Sequence, residues 1–222
     1  MHISEGVLSG QVLAAGAALA FVGTSIGLKK LDYEHIPQAA ILSSAFFVAS
    51  LIHVPVGPSS VHLILNGIVG LLLGWGAFPA IMTALLLQGM LFQFGGISTL
   101  GVNTVIMAGP AVICYYLFGS LIHKKQKTAI CAAFACGFLS VFLSGILVAL
   151  SLIFTEEGFW EVAWAVVLAH IPVMIIEGII TGFCISFLKK VQPELLPHIP
   201  GHKKNFENIE NFVKAEVVNV EK

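Results

Sequence analysis

The chain has 222 residues, of which 57% are hydrophobic and only 10% are charged, and its formal net charge is -1. Soluble domains carry about 25% charged residues, so this composition excludes an ordinary soluble domain and indicates a membrane protein. No nucleic-acid partner is expected. Disulfides and thiolate metal sites are not expected either, because all four cysteines lie inside apolar segments without a Cys-x-x-Cys pair. They are Cys114, Cys131, Cys136 and Cys184.

The first two residues form a potential chelator. The α-amine of Met1, the backbone nitrogen of His2 and the imidazole Nδ1 of His2 can close a five-membered and then a six-membered ring around one metal ion. The three nitrogens then lie in one plane, which suits Ni(II) or Cu(II) better than tetrahedral Zn(II). The bulk of His2 is expected to keep Met1 on the mature chain. A histidine at position two is also a common feature that is often idle, so this pattern needs support from the rest of the chain.

Seven apolar runs follow, and most approach the ~20 residues that a helix needs to cross the hydrocarbon core. The third run is the shortest. They are Val7–Leu28, Gln38–Val54, Val61–Gly74, Ala77–Phe94, Val102–Ile122, Thr128–Phe154 and Trp160–Leu188.

The lysines predict the orientation of these runs. The chain has no arginine, and lysine-bearing loops stay in the cytoplasm. Lys29–Lys30, Lys124–Lys127 and Lys189–Lys190 then lie inside, with the amino terminus outside and the carboxyl terminus inside. The remaining loops carry no lysine; they are Met1–Gly6, Pro55–Ser60, Gly95–Gly101 and Thr155–Phe159.

The predicted fold is therefore all-α, a polytopic membrane helical bundle of about seven transmembrane helices. Residues 1–190 form a transmembrane metal-binding domain, and residues 191–222 form a polar cytoplasmic tail. The expected location is the plasma or inner membrane, as a multi-pass protein.

Small residues mark the first helix as a packing helix. Gly23 and Gly27 form a Gly-x-x-x-Gly pair, which lets two helix backbones approach closely in lipid. The pair is compatible with packing inside this chain and with docking to another membrane subunit.

The entry to the third run carries the next candidates. Pro58 followed by Ser59 and Ser60 predicts a helix start, with a serine hydroxyl available as a cap. His62 would lie in the first turn and Asn66 one turn deeper on the same face. A run this short predicts a helix that begins below the outer surface, at a cavity open to the outside. His53 borders this cavity. His62 is either a hydrogen-bonded structural histidine or a metal ligand.

The loop after the fourth run combines glycines with amides. Gly95, Gly96 and Gly101 allow close backbone approach, and Gln88 and Asn103 border the apolar spans. These amides could form interhelical hydrogen bonds, worth ~0.6–2 kcal/mol each. Alternatively, they hold a metal-bound imidazole in its tautomer.

The last run contains two ionisable side chains. His170 and Glu177 lie seven residues apart and hence on one helix face, and Pro172 between them could kink the helix. A carboxylate in the membrane is a candidate functional group. A protonated, structural hydrogen-bonding role for Glu177 is an equal alternative.

Three motifs together resemble the CbiM/NikM family, the cobalt- or nickel-binding membrane (S) components of energy-coupling-factor (ECF) transporters. They are Met-His-Ile-x-Glu-Gly at the start, Gly57-Pro58-Ser59-Ser60-Val61-His62-Leu63, and Gly95-Gly96 followed by Leu100-Gly101-Val102-Asn103. The resemblance extends to about Lys190, while Gln93 and Phe94 depart from the family pattern.

This resemblance implies a ligand set and partners. The ligands are the Met1 amine, the His2 backbone nitrogen, the His2 imidazole and the imidazole of His62. The implied partners are a transmembrane coupling (T) component, two cytoplasmic ATPase subunits and a small extra membrane subunit on a separate chain.

The expected function is high-affinity capture of Ni²⁺ or Co²⁺ from outside for ATP-driven uptake. Planar ligation by nitrogen alone favours nickel. The chain is not expected to be an enzyme, because it contains no Gly-x-x-x-x-Gly-Lys-[Ser/Thr], His-Glu-x-x-His or Gly-x-Ser-x-Gly. The alternative is a self-sufficient secondary permease or channel for a metal ion or small solute, in which His170 and Glu177 would matter more than the amino terminus.

Overall fold

The computed structural model describes residues 2–51, 53–56 and 59–196 of the chain. Eight α-helices and one two-stranded hairpin make up its regular structure apart from short 3-10 turns. In chain order they are α1 Gly10–Lys30, α2 Ile36–Ala49, β1 His53–Val56, β2 Ser59–His62, α3 Asn66–Leu73, α4 Ala77–Phe92, α5 Leu100–Phe118, α6 Gln126–Ile153, α7 Trp160–Ala169 and α8 Ile171–Val191.

The described helices have the length and the surface of a membrane bundle. Five helical segments in the described part are long and apolar enough to cross a membrane: Gly10–Lys30, Asn66–Phe92, Leu100–Phe118, Gln126–Ile153 and Trp160–Val191. Large apolar side chains face outward on the peripheral helices, with Phe21 74% exposed and Phe183 75% exposed. The prediction of an all-α, multi-pass membrane bundle is confirmed.

Helices α5 and α6 form the centre of the bundle, and glycines bring their neighbours close. A Cβ on Gly70 of α3 would overlap the Ala111 carbonyl oxygen of α5. A Cβ on Gly137 of α6 would lie 2.6 Å from the Glu177 carbonyl oxygen of α8. Both contacts are with backbone, so only glycine permits this spacing.

The Gly-x-x-x-Gly pair of α1 packs inside this chain. A Cβ on Gly23 would meet the ring of Phe78, and one on Gly27 would meet the carbonyl of Trp75 and the ring of Pro79. Of the two readings of this pair, the structure contains the intrachain one, with α1 against the start of α4.

The segment Asn66–Phe92 reverses direction at Gly74, where φ is +54°. Helix α3 runs beside α5 from Met107, whose carbonyl accepts a hydrogen bond from Asn66, to Tyr115, whose ring lies against Gly74. Helix α4 then returns along α5 toward the end of the bundle at which α5 begins. Gly74–Gly76 is therefore a hairpin turn, as the apolar runs predicted.

The prediction of a helix starting near Ser59, with His62 in its first turn, is wrong. Ser59–His62 is strand β2, which pairs antiparallel with β1 so that His53 faces His62 across the hairpin. Helix α3 begins only at Asn66, because Leu65 adopts a left-handed conformation with φ of 57°. A left-handed residue cannot continue a right-handed helix. Likewise α2 ends at Ala49, five residues before the predicted end of the second run.

The last run is divided at His170, which separates α7 from α8. Pro172 has no N–H and lies in the first turn of α8, where a proline is tolerated. Both halves pack on α6 as one bent segment.

The count of seven spans, with the amino terminus outside, stays a prediction. Ser4→Cys and Ser98→Cys, each in a background without the natural cysteines, are expected to react with a membrane-impermeant maleimide on intact cells, since both positions are exposed. Lys125→Cys, on a lysine-rich loop, is the control and should react only after permeabilisation. Protection of positions 4 and 98 in intact cells would contradict this orientation.

Candidate metal-binding site

Residues 2–9, here called the arm, lie in the bundle because one amide side chain holds their backbone. Asn103 of α5 accepts a hydrogen bond from the Ile3 N–H at 2.9 Å and donates to the Ile3 carbonyl at 3.1 Å. The Asn103 amide also donates to Thr99 at 3.2 Å, which fixes its orientation. The Ile3 side chain is fully buried. The arm is thus held as a paired strand would be, although its partner is a side chain.

Two glycines make room for the arm. Gly96 has φ of +136°, and a Cβ there would lie 2.8 Å from the Cβ of Glu5. Gly95 has φ of +78°, and a Cβ there would lie 3.0 Å from the Asn103 amide nitrogen. The Glu5 carboxylate accepts a hydrogen bond from the Ser98 N–H at 3.1 Å, which lowers the pKa of Glu5. The close approach expected of this double glycine is therefore present in the structure.

The arm and the hairpin bring His2 and His62 together. Their rings stack with centroids 4.6 Å apart and planes inclined by 29°. Both side chains are buried, with 5% and 3% of their surface exposed. Two imidazoles that are 60 positions apart in the chain therefore share one small space.

Gln88 of α4 sets the tautomer of His2. The Gln88 amide nitrogen donates to the Phe47 carbonyl at 3.1 Å and to the Ser50 hydroxyl. The Gln88 carbonyl oxygen therefore faces His2, where it lies 2.8 Å from Nε2. Because that oxygen can only accept, Nε2 carries the proton and the lone pair is on Nδ1. Nδ1 is the nitrogen that a chelate with the His2 backbone requires.

His62 has the opposite tautomer. Its Nδ1 lies 2.7 Å from the carbonyl oxygen of Leu63, which can only accept, so Nδ1 is protonated and Nε2 carries the lone pair. Burial lowers the pKa of His2 to about 3 and lowers the pKa of His62 well below its ordinary value. Both rings are thus neutral near pH 7, which is the form that binds metals.

Two imidazoles make only part of a metal site. In the described part of the chain, no group of three or more His, Cys, Asp or Glu side chains is arranged to hold a metal ion. Further donors would have to be backbone groups, the amino terminus or water. Met1, whose amine is the predicted third donor, lies outside the described residues.

His53 lies beside this pair. It faces His62 across the hairpin, and its ring contacts the edge of Phe94 at 4.3 Å between centroids. Its Nδ1 lies 3.2 Å from the Leu51 carbonyl oxygen. His53 and His2 both line a cavity of about 140 Å³.

Three further candidates, Asn66, His170 and Glu177, form hydrogen bonds with backbone groups or with neighbouring helices. Asn66 joins α3 to α5 and α6 through the Met107 carbonyl, Ser140 and Ser144. His170 is fully buried, and its Nδ1 lies 2.6 Å from the Val166 carbonyl oxygen.

Glu177 accepts hydrogen bonds from the N–H groups of Ile64 and Leu65, just after His62.

Sequence reasoning did not find Ser50 or Thr99, which orient Gln88 and Asn103. A serine near the end of an apolar run carries no pattern that would single it out.

Replacing Asn103 with Ala should release the arm. The buried N–H and carbonyl of Ile3 lose their partners, which costs about 1–3 kcal/mol, equivalent to about 5–150-fold in any affinity that needs the arm in place. Hydrogen exchange at residues 3–5 and titration with Ni²⁺ measure the two effects. Thr104→Val is the control, because the Thr104 hydroxyl donates its hydrogen bond to the Leu100 carbonyl of its own helix and not to the arm. Wild-type exchange in Asn103→Ala would contradict the role of this amide.

Comparisons with known proteins show the family to which this chain is similar. Residues 2–195 match the CbiM family, described as "Cobalt uptake substrate-specific transmembrane region". A "Putative metal transport protein" of Haemophilus influenzae is 45% identical over 199 residues, covering 88% of this chain and 97% of the relative. The "Fused nickel transport protein NikMN" of Rhodobacter capsulatus is 28% identical over 88% of this chain and 64% of the relative.

A solved structure, titled as that of a truncated transition metal transporter, superposes with a TM-score of 0.71 at 26% identity. The alignment covers 86% of this chain and 99% of that one. Members of this family are components of metal transport systems, and the family is not a class of enzyme. With its helical bundle and its match over residues 2–195, this chain belongs to the CbiM family of membrane proteins for cobalt and nickel transport.

Proposed function

We propose that this chain captures Ni²⁺ or Co²⁺ from outside the cell as the substrate-binding (S) component of an ATP-driven ECF transporter. The observation that carries the proposal is the stacked pair of His2 and His62, buried, neutral and fixed in complementary tautomers. Gln88 and the Leu63 carbonyl each bind the N–H of one ring, so Nδ1 of His2 and Nε2 of His62 are the nitrogens with the lone pairs that a metal would need.

The proposed ligands are four nitrogens: the Met1 amine, the His2 backbone nitrogen, Nδ1 of His2 and Nε2 of His62. The first three close the two chelate rings, and the tautomer of His2 leaves the required nitrogen unprotonated. His62 then supplies the fourth donor from the hairpin. Four nitrogens in a plane favour nickel over cobalt, because square-planar ligation by nitrogen suits Ni(II).

Energy for uptake has to come from partner subunits. The sequence contains no phosphate-binding loop of the type Gly-x-x-x-x-Gly-Lys-[Ser/Thr]. The proposal therefore includes a transmembrane coupling component, two cytoplasmic ATPase subunits and a small separate membrane subunit.

A self-sufficient permease is the second candidate. In its favour, His170 is buried in the membrane-spanning part, and its Nε2 has no hydrogen-bond partner among the described residues. Uptake of radioactive ⁶³Ni²⁺ by proteoliposomes separates the two. The permease predicts uptake by this chain alone, whereas the capture component predicts uptake only with the coupling protein, the ATPases and ATP.

Extending the chain by four glycines before Met1 should abolish tight metal binding. The extension converts the Met1 amine into an amide, a far poorer donor, and places the new amine too far from His2 to close the two chelate rings. A tag after Lys222 is the control and should leave one ion per protein. The metal content of both proteins, purified side by side, is the measurement. Normal binding by the extended protein would rule out the amine as a ligand.

Replacing His62 with Ala should lower metal affinity by more than about 100-fold, beyond the 10–100-fold typical for residues that only orient a ligand. His53→Ala is the matched control from the facing strand and should stay within about threefold of wild type. Calorimetric titration with Ni²⁺ and Co²⁺ gives both affinities. Equal losses in the two variants would mean that the hairpin fold, and not the His62 ligand, had been disturbed.

A further inference from the structure

One peptide group connects His62 to the buried carboxyl group of Glu177 on helix α8. The Leu63 carbonyl accepts the hydrogen bond from Nδ1 of His62 at 2.7 Å. The N–H of the same peptide unit, which belongs to Ile64, donates to Oε1 of Glu177 at 2.5 Å. The imidazole, the peptide and the carboxylate thus form one continuous line of hydrogen bonds.

Glu177 also holds the turn that follows. The Leu65 N–H donates to the same Oε1 at 2.7 Å, and Leu65 is the residue with φ of 57°. A leucine in the left-handed region is strained and persists only where its surroundings determine it. Glu177 is fully buried in α8 and holds Leu65 in this conformation, although it lies 112 residues further along the chain.

A simple helix cap does not account for both contacts. Leu65 is the N-cap of α3, and its N–H is one of the orphan donors at the start of that helix. Glu177 binds this donor and also the N–H of Ile64, which precedes the cap. It therefore holds the linker between β2 and α3, the segment whose carbonyl binds His62.

The physical effect of such a line is known from metal sites. Ligating histidines commonly donate their second N–H to a carboxylate or a backbone carbonyl, which fixes the ring and raises its basicity. A carbonyl whose own peptide N–H is bound to a carboxylate becomes a stronger acceptor, because linked hydrogen bonds polarise one another. Here Glu177 binds the N–H of the peptide between Leu63 and Ile64, and the carbonyl of that peptide accepts the Nδ1–H of His62 more strongly as a result.

We propose that Glu177 is a positioning residue for the metal-binding site, acting on His62 through the Leu63–Ile64 peptide so that Nε2 is the donor nitrogen. This inference rests on the proposed function, in which His62 is a ligand. It gives the carboxylate in the membrane a specific task and extends the site to helix α8. The rigid seat of α8 on α6, where a Cβ on Gly137 would meet the Glu177 carbonyl oxygen, keeps the carboxylate in place.

The test uses the full chain with Glu177→Ala, Glu177→Gln and Thr181→Val. Thr181 is a fully buried polar residue one turn further along α8, so its variant controls for a disturbed helix packing. Two quantities are measured. The first is the affinity for Ni²⁺; the second is the tautomer of His62 in the metal-free protein, from imidazole ¹⁵N shifts of histidine-labelled samples assigned with His62→Gln.

The expected result for Glu177→Ala is a loss of about 10–100-fold in affinity, with His62 no longer held as the Nδ1–H tautomer. Glu177→Gln keeps an acceptor oxygen for the two N–H groups, so a smaller loss of affinity and a smaller release of the Nδ1–H tautomer are expected. The Glu177→Gln variant still tests the action of Glu177 on His62 if the alanine variant does not fold. Thr181→Val should match wild type in both measurements.

Retention of the Nδ1–H tautomer in the Glu177 variants would overturn the inference, whether or not the affinity falls. A changed tautomer with unchanged affinity would uphold the action of Glu177 on His62 and refute the role of His62 as a ligand. The two proposals therefore fail in different ways.

Discussion

Backbone that enters an apolar helical bundle without being helical must find partners for its N–H and carbonyl groups. Among the residues that the structure describes, two segments are of this kind: the arm, and strand β2 with the linker that follows it to Leu65. Asn103 binds both polar groups of Ile3, and Glu177 binds the N–H groups of Ile64 and Leu65. These two side chains, from α5 and α8, allow irregular backbone to reach the place where His2 meets His62.

The same contacts separate the site from the rest of the core. The bundle is held by close helix contacts at glycines such as Gly70 and Gly137. The site, by contrast, is held by directional hydrogen bonds from Gln88, Asn103 and Glu177. Packing alone could not choose between the two nitrogens of an imidazole, because the tautomers have the same shape. The hydrogen bonds decide the tautomer: they leave the lone pair on Nδ1 in His2 and on Nε2 in His62.

The class of fold was predictable from the sequence because it depends on composition and on the length of apolar runs. The double glycine at Gly95 and Gly96 was also readable, since two adjacent residues without a Cβ allow another segment to approach closely. The strand at Ser59–His62 was not, because Pro58 followed by two serines is an equally good helix start. What decides against the helix is the left-handed Leu65, and its partner Glu177 lies 112 residues further along the chain. No local pattern reports such a contact.

The buried position of Ile3 has a consequence for the rate at which an ion would be released, rather than for its affinity. Its side chain is fully buried, which contributes about 1.5–3 kcal/mol, and its backbone adds two hydrogen bonds worth about 1 kcal/mol each. Opening of the arm requires Ile3 to leave its buried place and both hydrogen bonds to Asn103 to break. In the proposed site, where His2 is a ligand, these contacts would slow the release of the ion. Ile3 would then affect the lifetime of the bound state without being a ligand itself.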